Sequence, residues 1–427
     1  GRGAWVRLFD ETLAHLEFDL GGRKKTLSET LNQLTDDEGS RREEAGQALS
    51  ETLGHSERLF ATITNNLAKD KEIEDRWRSF ENPAEPRHLA NRVEAEVVEA
   101  LVDAVRDSYG NLAHRYYALK AKWMGITKLN WWDRNAPLPQ DSGRVFNWIE
   151  SRDIVLESYH AFEPRMADIA RRFFDNSWID APPRAGKNSG AFAHPTVPSV
   201  HPYILLNFHG KPRDVMTLSH ELGHGVHQIL AARQGLLLSQ TPLTLAETAS
   251  VFGEMLTFRS LLDTEQDAAK RCVLLANKVE DMLNTVVRQI AFHEFETQVH
   301  NERKEGELSP EHLGNIWMET QRASLGPSFN FDEGYRGLWA YIPHFIHAPF
   351  YVYAYAFGDC LVNALYAIFK DGHPGFQGKY MEMLAQGGSK GHKELLAPFG
   401  LDASDRDFWN KGLMVISGFI DELEASL

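Results

Sequence analysis

His220-Glu221-Leu222-Gly223-His224 sets two histidines four residues apart, with a glutamate directly after the first. On a helix, residues four apart lie one turn along the axis and about 40° round it. Both imidazoles can then aim a nitrogen at one Zn²⁺ about 2.0–2.1 Å away. Glu221 lies about 100° round from His220. That is too divergent to join the chelate, but well placed to touch a metal-activated water. The spacing therefore predicts hydrolysis, with one zinc ion and Glu221 as general base. A pair of satisfied surface histidines is the plain alternative.

The pattern needs a helix. Residues 214–233 are apolar-periodic, with Asp214 as expected N-cap and Gly235 just past the end. Gly223 and Gly225 inside it cost about 0.8–1 kcal/mol each against Ala. They make room for a neighbouring helix or for a ligand. His227 shares the face, but seven residues span about 10.5 Å, so His220 and His227 cannot share an ion. His227 is assigned to packing or to supporting a ligand.

Zinc needs a third protein ligand and an open position. A histidine ten residues after the first would make a metzincin; that position is Leu230. A glutamate from a second helix would make a gluzincin. Thr241-Pro242 opens such a helix, running on as LTLAETASVFGEML, with Glu247 and Glu254 seven apart on one face. Glu247 is the expected ligand and Glu254 the carboxylate that orients a ligand histidine. A capping box between Thr244 and Glu247, and an ordinary ion pair for Glu254, are the competing readings.

The elements that must hold these residues are helical. The 427 residues carry 45 basic and 60 acidic side chains, a net charge of −15. That field repels phosphate backbones, so nucleic acid is not an expected partner. Two cysteines are too few for a disulfide framework and fit a reducing, cytoplasmic setting. Residues 4–16, 40–68 and 91–123 read as helices, and 16–26 as a hairpin turning at Gly21-Gly22. Thr26 to Glu29 forms a capping box. Breaks fall at 81–86, 129–140 and 182–198. The apolar run 349–369 contains Asp359 and Asn363 and reads as a buried core helix, not a membrane span. His201 to Phe208 is a strand leading into the metal helix. As an edge strand it could bind peptide through its backbone, with Tyr203, Leu205 and Asn207 as substrate contacts. A helical lobe over 1–135 and a zinc-binding helical region over 136–427 are expected.

HELGHGVH at His220 and AETASVFGE at Ala246 resemble the oligoendopeptidase F family, among the thimet-oligopeptidase-like zinc metallopeptidases. RYYALKA at Arg115, GAFAHP at Gly190, HPYILLNF at His201 and PFYVYAYAFG at Pro349 extend the likeness over essentially the whole chain. The resemblance implies a mostly α, gluzincin fold of two helical lobes around a channel, and cleavage of short oligopeptides. Family members usually carry a further N-terminal helical region, which this sequence is expected to lack. The family also takes a histidine and one or two tyrosines as oxyanion donors from the segment matching Pro343 to Tyr355. His347 is favoured slightly over His344. If a helix starts at Pro349, Tyr351 and Tyr355 share a face and Tyr353 points away, though Tyr353 stays open on family grounds. A carboxypeptidase, holding the substrate terminus on Arg336 or Arg322, is one alternative. A peptide-binding fragment without activity is another. The oligomeric state is not legible.

Overall fold

Gly21 and Gly22 hold φ at +60° and +78°, a conformation that costs glycine little, and the Gly22 N–H is held by the Asp19 carboxylate at 2.8 Å. The computed structural model describes residues 1–138, 144–184, 186–187 and 190–426. Helix α1 (Arg2–His15) leads into this hairpin of β1 (Phe18–Leu20) and β2 (Arg23–Lys25). The expected Thr26–Glu29 capping box opens α2 (Leu27–Gln33). The stretch expected at 40–68 is α3 (Gly39–Trp77), longer by nine residues at its end, where Lys69–Glu72, Lys71–Asp75 and Glu72–Arg76 ion pairs run along charged turns. After α4 (Glu85–Asn91), the stretch 91–123 is not one helix. It comprises α5 (Ala95–Asp107), a π turn at Gly110–His114 and α6 (Arg115–Trp123).

Strand β3 (Leu129–Asn130) precedes α7 (Trp148–Phe162) and α8 (Pro164–Asp175). Three short strands, β4 (Ile179–Asp180), β5 (Phe192–His194) and β6 (Tyr203–Leu205), make a sheet of order β4-β6-β5. Then come α9 (Pro212–Ala231), α10 (Leu243–Ala246), α11 (Ser250–Thr264), α12 (Ala268–Thr285), α13 (Val287–Glu305) and α14 (Pro310–Leu325). Strand β7 (Phe329–Asn330), α15 (His344–His347), α16 (Tyr353–Lys370), α17 (Phe376–Ala385), α18 (His392–Leu396) and α19 (Arg406–Ala425) complete the chain. The fold is thus mostly α with small sheets, as expected. Residues 139–143, 185, 188 and 189 of the expected loops lie outside the described residues. The apolar run 349–369 is largely α16, and most of its side chains are buried. No helix among the described residues is long and apolar enough to cross a membrane.

The chain divides into two compact units, each assembled from three stretches. The first comprises Gly1–Leu89, Val105–Asp141 and Leu283–Tyr353; the second comprises Ala90–Ala104, Ser142–Met282 and Ala354–Leu427. The boundary expected after residue 135 falls close to only one of these crossings. In the first unit, α1 and α3 bury Phe9, Leu49, Leu53 and Phe60 with Phe292, Trp317 and Phe345. Arg42 and Asp133, both buried, pair at 3.0 Å and tie the segment after β3 to α3. β3 pairs in parallel with β7, 200 residues away in sequence. In the second unit, Phe162, Phe252 and Tyr380 form an aromatic core with centroids 4.6 to 5.4 Å apart.

Candidate metal centre

Helix α9 carries the HExxH residues and opens with Pro212 in its first turn. Asp214 caps it from inside the first turn, not from the N-cap position. Its carboxylate accepts the N–H groups of His209 at 2.8 Å and Lys211 at 2.9 Å. After Ala231 a 3₁₀ turn ends at Gly235, whose φ of +75° lets the chain leave the helix. The two internal glycines make room for neighbouring elements. A Cβ on Gly223 would stand 2.4 Å from the Ala249 carbonyl oxygen, and one on Gly225 would stand 2.5 Å from the Phe173 ring. They let the start of α11 and the end of α8 approach α9 closely.

The continuous helix expected from Thr241-Pro242 is interrupted. Pro242 is the N-cap of the short α10, and α11 begins at Ser250. Glu247 sits at the break between them, so its side chain leaves from a turn. Thr244 does not form the capping box with Glu247; its hydroxyl donates to the Asn91 carbonyl at 3.2 Å. The Ser250 hydroxyl donates to Glu247 Oε2 at 2.6 Å and fixes the carboxylate. Gly358 of α16 backs it: a Cβ there would meet Glu247 Cβ at 3.0 Å.

Glu247 Oε2 stands 3.3 Å from His220 Nε2 and 3.4 Å from His224 Nε2. The donor atoms of these three residues all lie within 4.8 Å of one another. Donors arranged tetrahedrally at zinc–ligand distances of 2.0–2.1 Å stand ~3.3–3.4 Å apart. Both oxygen–nitrogen spacings match that arrangement, and three donors would leave one position of a tetrahedral ion over. Behind them, Glu254 Oε2 meets His220 Nδ1 at 3.3 Å, and its other oxygen takes the Lys278 ammonium at 2.6 Å. Lys278 projects from α12 and is buried. No local signal marks it, because Asn277, Glu280 and Asp281 make the stretch read as an ordinary polar helix face.

The electrostatics follow from burial and charge together. Burial works against a charge on His220, but hydrogen bonds and charges from Glu247 and Glu254 outweigh it and raise its pKa to about 10. Burial lowers His224 to about 4, against the pull of Glu247. Burial would raise Glu247 and Glu254; their cationic partners instead hold both near 2. His227, buried with its Nε2 3.2 Å from the Thr241 hydroxyl, is lowered to about 4 by burial. It packs and supports the turn before α10. Glu221 is only 6% exposed, and burial raises it to about 7; the charge on His220 and the Ala193 amide pull the other way. Its Oε2 is buried without a hydrogen-bond partner.

The sheet changes the expectation for substrate contacts. β6, with Tyr203 and Leu205, is the central strand, parallel to β4 and antiparallel to β5. Both its edges are taken, so it cannot receive a further strand. Asn207 Nδ2 donates to the Gly190 carbonyl at 3.1 Å. The strand beside α9 is β5, where Gln228 donates to the Ala193 carbonyl at 3.1 Å.

The oxyanion candidates divide. Tyr351 precedes α16, which starts at Tyr353 and not at Pro349, so Tyr351 and Tyr355 are not stacked on one helix face. Phe350 just before it holds φ at +59°, with its ring buried among His293, His300 and Lys71. Its N–H is accepted by Glu296 Oε1 at 2.8 Å. Glu296 is 2% exposed, and burial raises it to about 8. The Tyr353 side chain is fully buried, 3.1 Å from His88 Nδ1 through its hydroxyl, which removes it as a donor to substrate. His347 Nε2 pairs with Asp10 at 2.8 Å, whereas the His344 ring stands 6.1 Å from that of Tyr351. Tyr355 is three residues before Gly358, on the face of α16 that packs on Glu247. Arg336 is engaged by Glu333 and Asn315, so it is not free to take a terminal carboxylate.

The chain matches the model of Peptidase family M3 over residues 33–415. Oligopeptidase PepF of Bacillus subtilis is 28% identical over 422 residues, which cover 98% of this chain and 62% of PepF. The chain thus spans less than two thirds of that relative. A crystal structure from Chlamydophila abortus shares the fold at a TM-score of 0.91 and 23% identity, over 99% of this chain and 72% of that one. Oligoendopeptidase-F from Enterococcus faecium does so at 0.78 and 22%, over 99% and 71%.

Proposed function

This chain belongs to peptidase family M3, and we propose that it is a zinc-dependent endopeptidase acting on short oligopeptides. The observation that carries the reading is the convergence of His220, His224 and Glu247 on one point, with Glu221 beside them. The substrate class follows the name of its relative, an oligopeptidase. A zinc ion held by these three residues would polarise the scissile carbonyl and acidify a water.

The rest is the work of the chain. Glu221, with a free oxygen and a pKa of about 7, accepts the proton of the attacking water and returns it to the leaving amine. Glu254 holds His220 in the orientation that presents Nε2, and Lys278 holds Glu254. Of the oxyanion donors that the family resemblance asks for, we assign His344 and Tyr351, which stand together, with Tyr355 as a further tyrosine. Two unpaired cysteines support a cytoplasmic setting.

The test is zinc content together with hydrolysis of a quenched peptide by wild type and Glu221→Gln. One zinc per chain and a loss of about 10²–10⁴-fold in kcat in the variant are expected. Bound zinc without Glu221-dependent turnover overturns the enzyme reading in favour of a peptide-binding fragment. End-group analysis on peptides blocked at both ends separates internal cleavage from a carboxypeptidase.

A further inference from the structure

A cavity of about 450 Å³ opens beside the metal residues, within the second unit. Its floor is the later half of α9, from His224 through Gln228 to Ala232. One wall is the Pro195–Pro202 loop. Thr196 closes that loop on itself: its N–H donates to His194 Nδ1 at 3.0 Å and its hydroxyl donates to the His201 carbonyl at 2.8 Å. The other wall is the segment after Gly235, with Leu236 and Thr241. The volume suits one peptide side chain and its neighbours.

Half of the lining residues are apolar, and the lining carries one permanent charge. Val197, Val200 and Leu236 are 44%, 58% and 67% exposed, more than a fold needs for packing. Arg172 of α8 is the single Lys or Arg among the described lining residues, and none of them is Asp or Glu. Its guanidinium makes no hydrogen bond or ion pair with a described residue. It stands 5.5 Å from the centroid of Trp178, on which His201 stacks at 3.9 Å and 8°. The aromatic row gives the cation a fixed seat without neutralising it. Gln228 adds a buried side-chain oxygen with no partner.

A single unpaired guanidinium at the rim of a cavity that no carboxylate lines recognises a carboxylate. We propose that this cavity is a substrate subsite that selects a peptide carboxylate through Arg172. The inference rests on the peptidase reading and names the chemistry it would prefer. The carboxylate is that of an acidic side chain or of a free C-terminus.

Four fluorescent peptides of one sequence resolve this: a central Glu or Gln, each ending in a free acid or an amide. Binding is read by anisotropy on the zinc-loaded full chain carrying Glu221→Gln, so that nothing is consumed. Peptides with the preferred carboxylate should bind about tenfold tighter than the uncharged one. The Glu/Gln and acid/amide pairs identify which carboxylate is read. Adding Arg172→Met should bring the peptides within twofold of each other, and Arg172→Lys should restore part of the preference. Binding that ignores both carboxylates, or a preference that survives Arg172→Met, overturns the proposal. Carboxylate-dependent binding in a chain whose wild type cleaves nothing would instead remove the peptidase reading and leave the subsite.

Discussion

Glu296 Oε1 accepts the backbone N–H of Phe350 at 2.8 Å, and Phe350 is held at a φ of +59°. A bulky residue in that conformation is unfavourable, and a buried carboxyl is costly to charge. Here the two stabilise each other, and together they fix the chain just before Tyr351. The carboxyl is raised from 4.5 to about 8, so the folded state keeps a proton that the unfolded chain releases above pH 4.5. Its contribution is fully present below pH 4.5 and fades as pH rises towards 8.

Glu296→Gln keeps the acceptor and removes the titration. Compared with wild type, the variant should gain up to about 1.4 kcal/mol per pH unit between pH 4.5 and 8. Glu296→Ala strands the Phe350 N–H and should cost about 1–3 kcal/mol at pH 5. Urea unfolding at several pH values checks both; parallel pH curves for wild type and the Gln variant would remove the argument.

His293 and His300 titrate in the opposite sense. Burial lowers both from 6.5 to about 3, so they stay neutral in the fold while the unfolded chain takes up protons below pH 6.5. Their contribution is fully present above pH 6.5 and is lost as pH falls towards about 3. Replacing His293 by Gln should therefore flatten the acid limb. Between pH 6.5 and 5 the variant should lose about 2 kcal/mol less than wild type. Equal losses in the two proteins would refute the assignment.

The paired glycines of α9 predict separable defects. Gly223→Ala pushes a methyl against the backbone at Ala249, next to the turn that presents Glu247. It should weaken zinc binding in chelator competition with every ligand still in place. Gly225→Ala meets the Phe173 ring instead. It should cost about 1–3 kcal/mol of stability with a smaller effect on zinc. A Gly223 variant with unchanged affinity would mean that the turn carrying Glu247 yields freely.

Much of the centre was legible because it lies on one periodic helix. His220 and His224 need only a spacing; for Glu247 and Glu254 the expected reach holds, but the shared helix face does not, since the helix breaks before Ser250. What escaped was decided by distant partners. The break at Glu247 depends on Ser250 and on the approach that Gly223 allows. Tyr351 leaves the helix because a glutamate 54 residues earlier captures Phe350. β3 and β7 have two residues each and owe their existence to one another, not to any local alternation. β6 read correctly as a strand but wrongly as an edge, since its neighbours have no strong pattern of their own.

Lys278 gives the fourth prediction. Lys278→Met removes the cation behind Glu254 and leaves that carboxylate buried with Asp359, which burial already raises to about 6. Stability should fall by about 3–5 kcal/mol, as when one partner of a buried pair is deleted. Glu254→Gln should reduce zinc affinity about 10–100-fold through the orientation of His220. Differential scanning calorimetry and metal competition read the two effects; full affinity in Glu254→Gln would show that His220 needs no support.

The chain passes between its two units five times, at 89/90, 104/105, 141/142, 282/283 and 353/354. Neither unit is therefore a modular cassette. A single recombination joint between two related genes inherits both units as mosaics, and replacing either one intact requires several joints at once. Evolution of such a chain is steered towards point changes at walls and rims, where Arg172 stands, and away from the shuffling of whole parts.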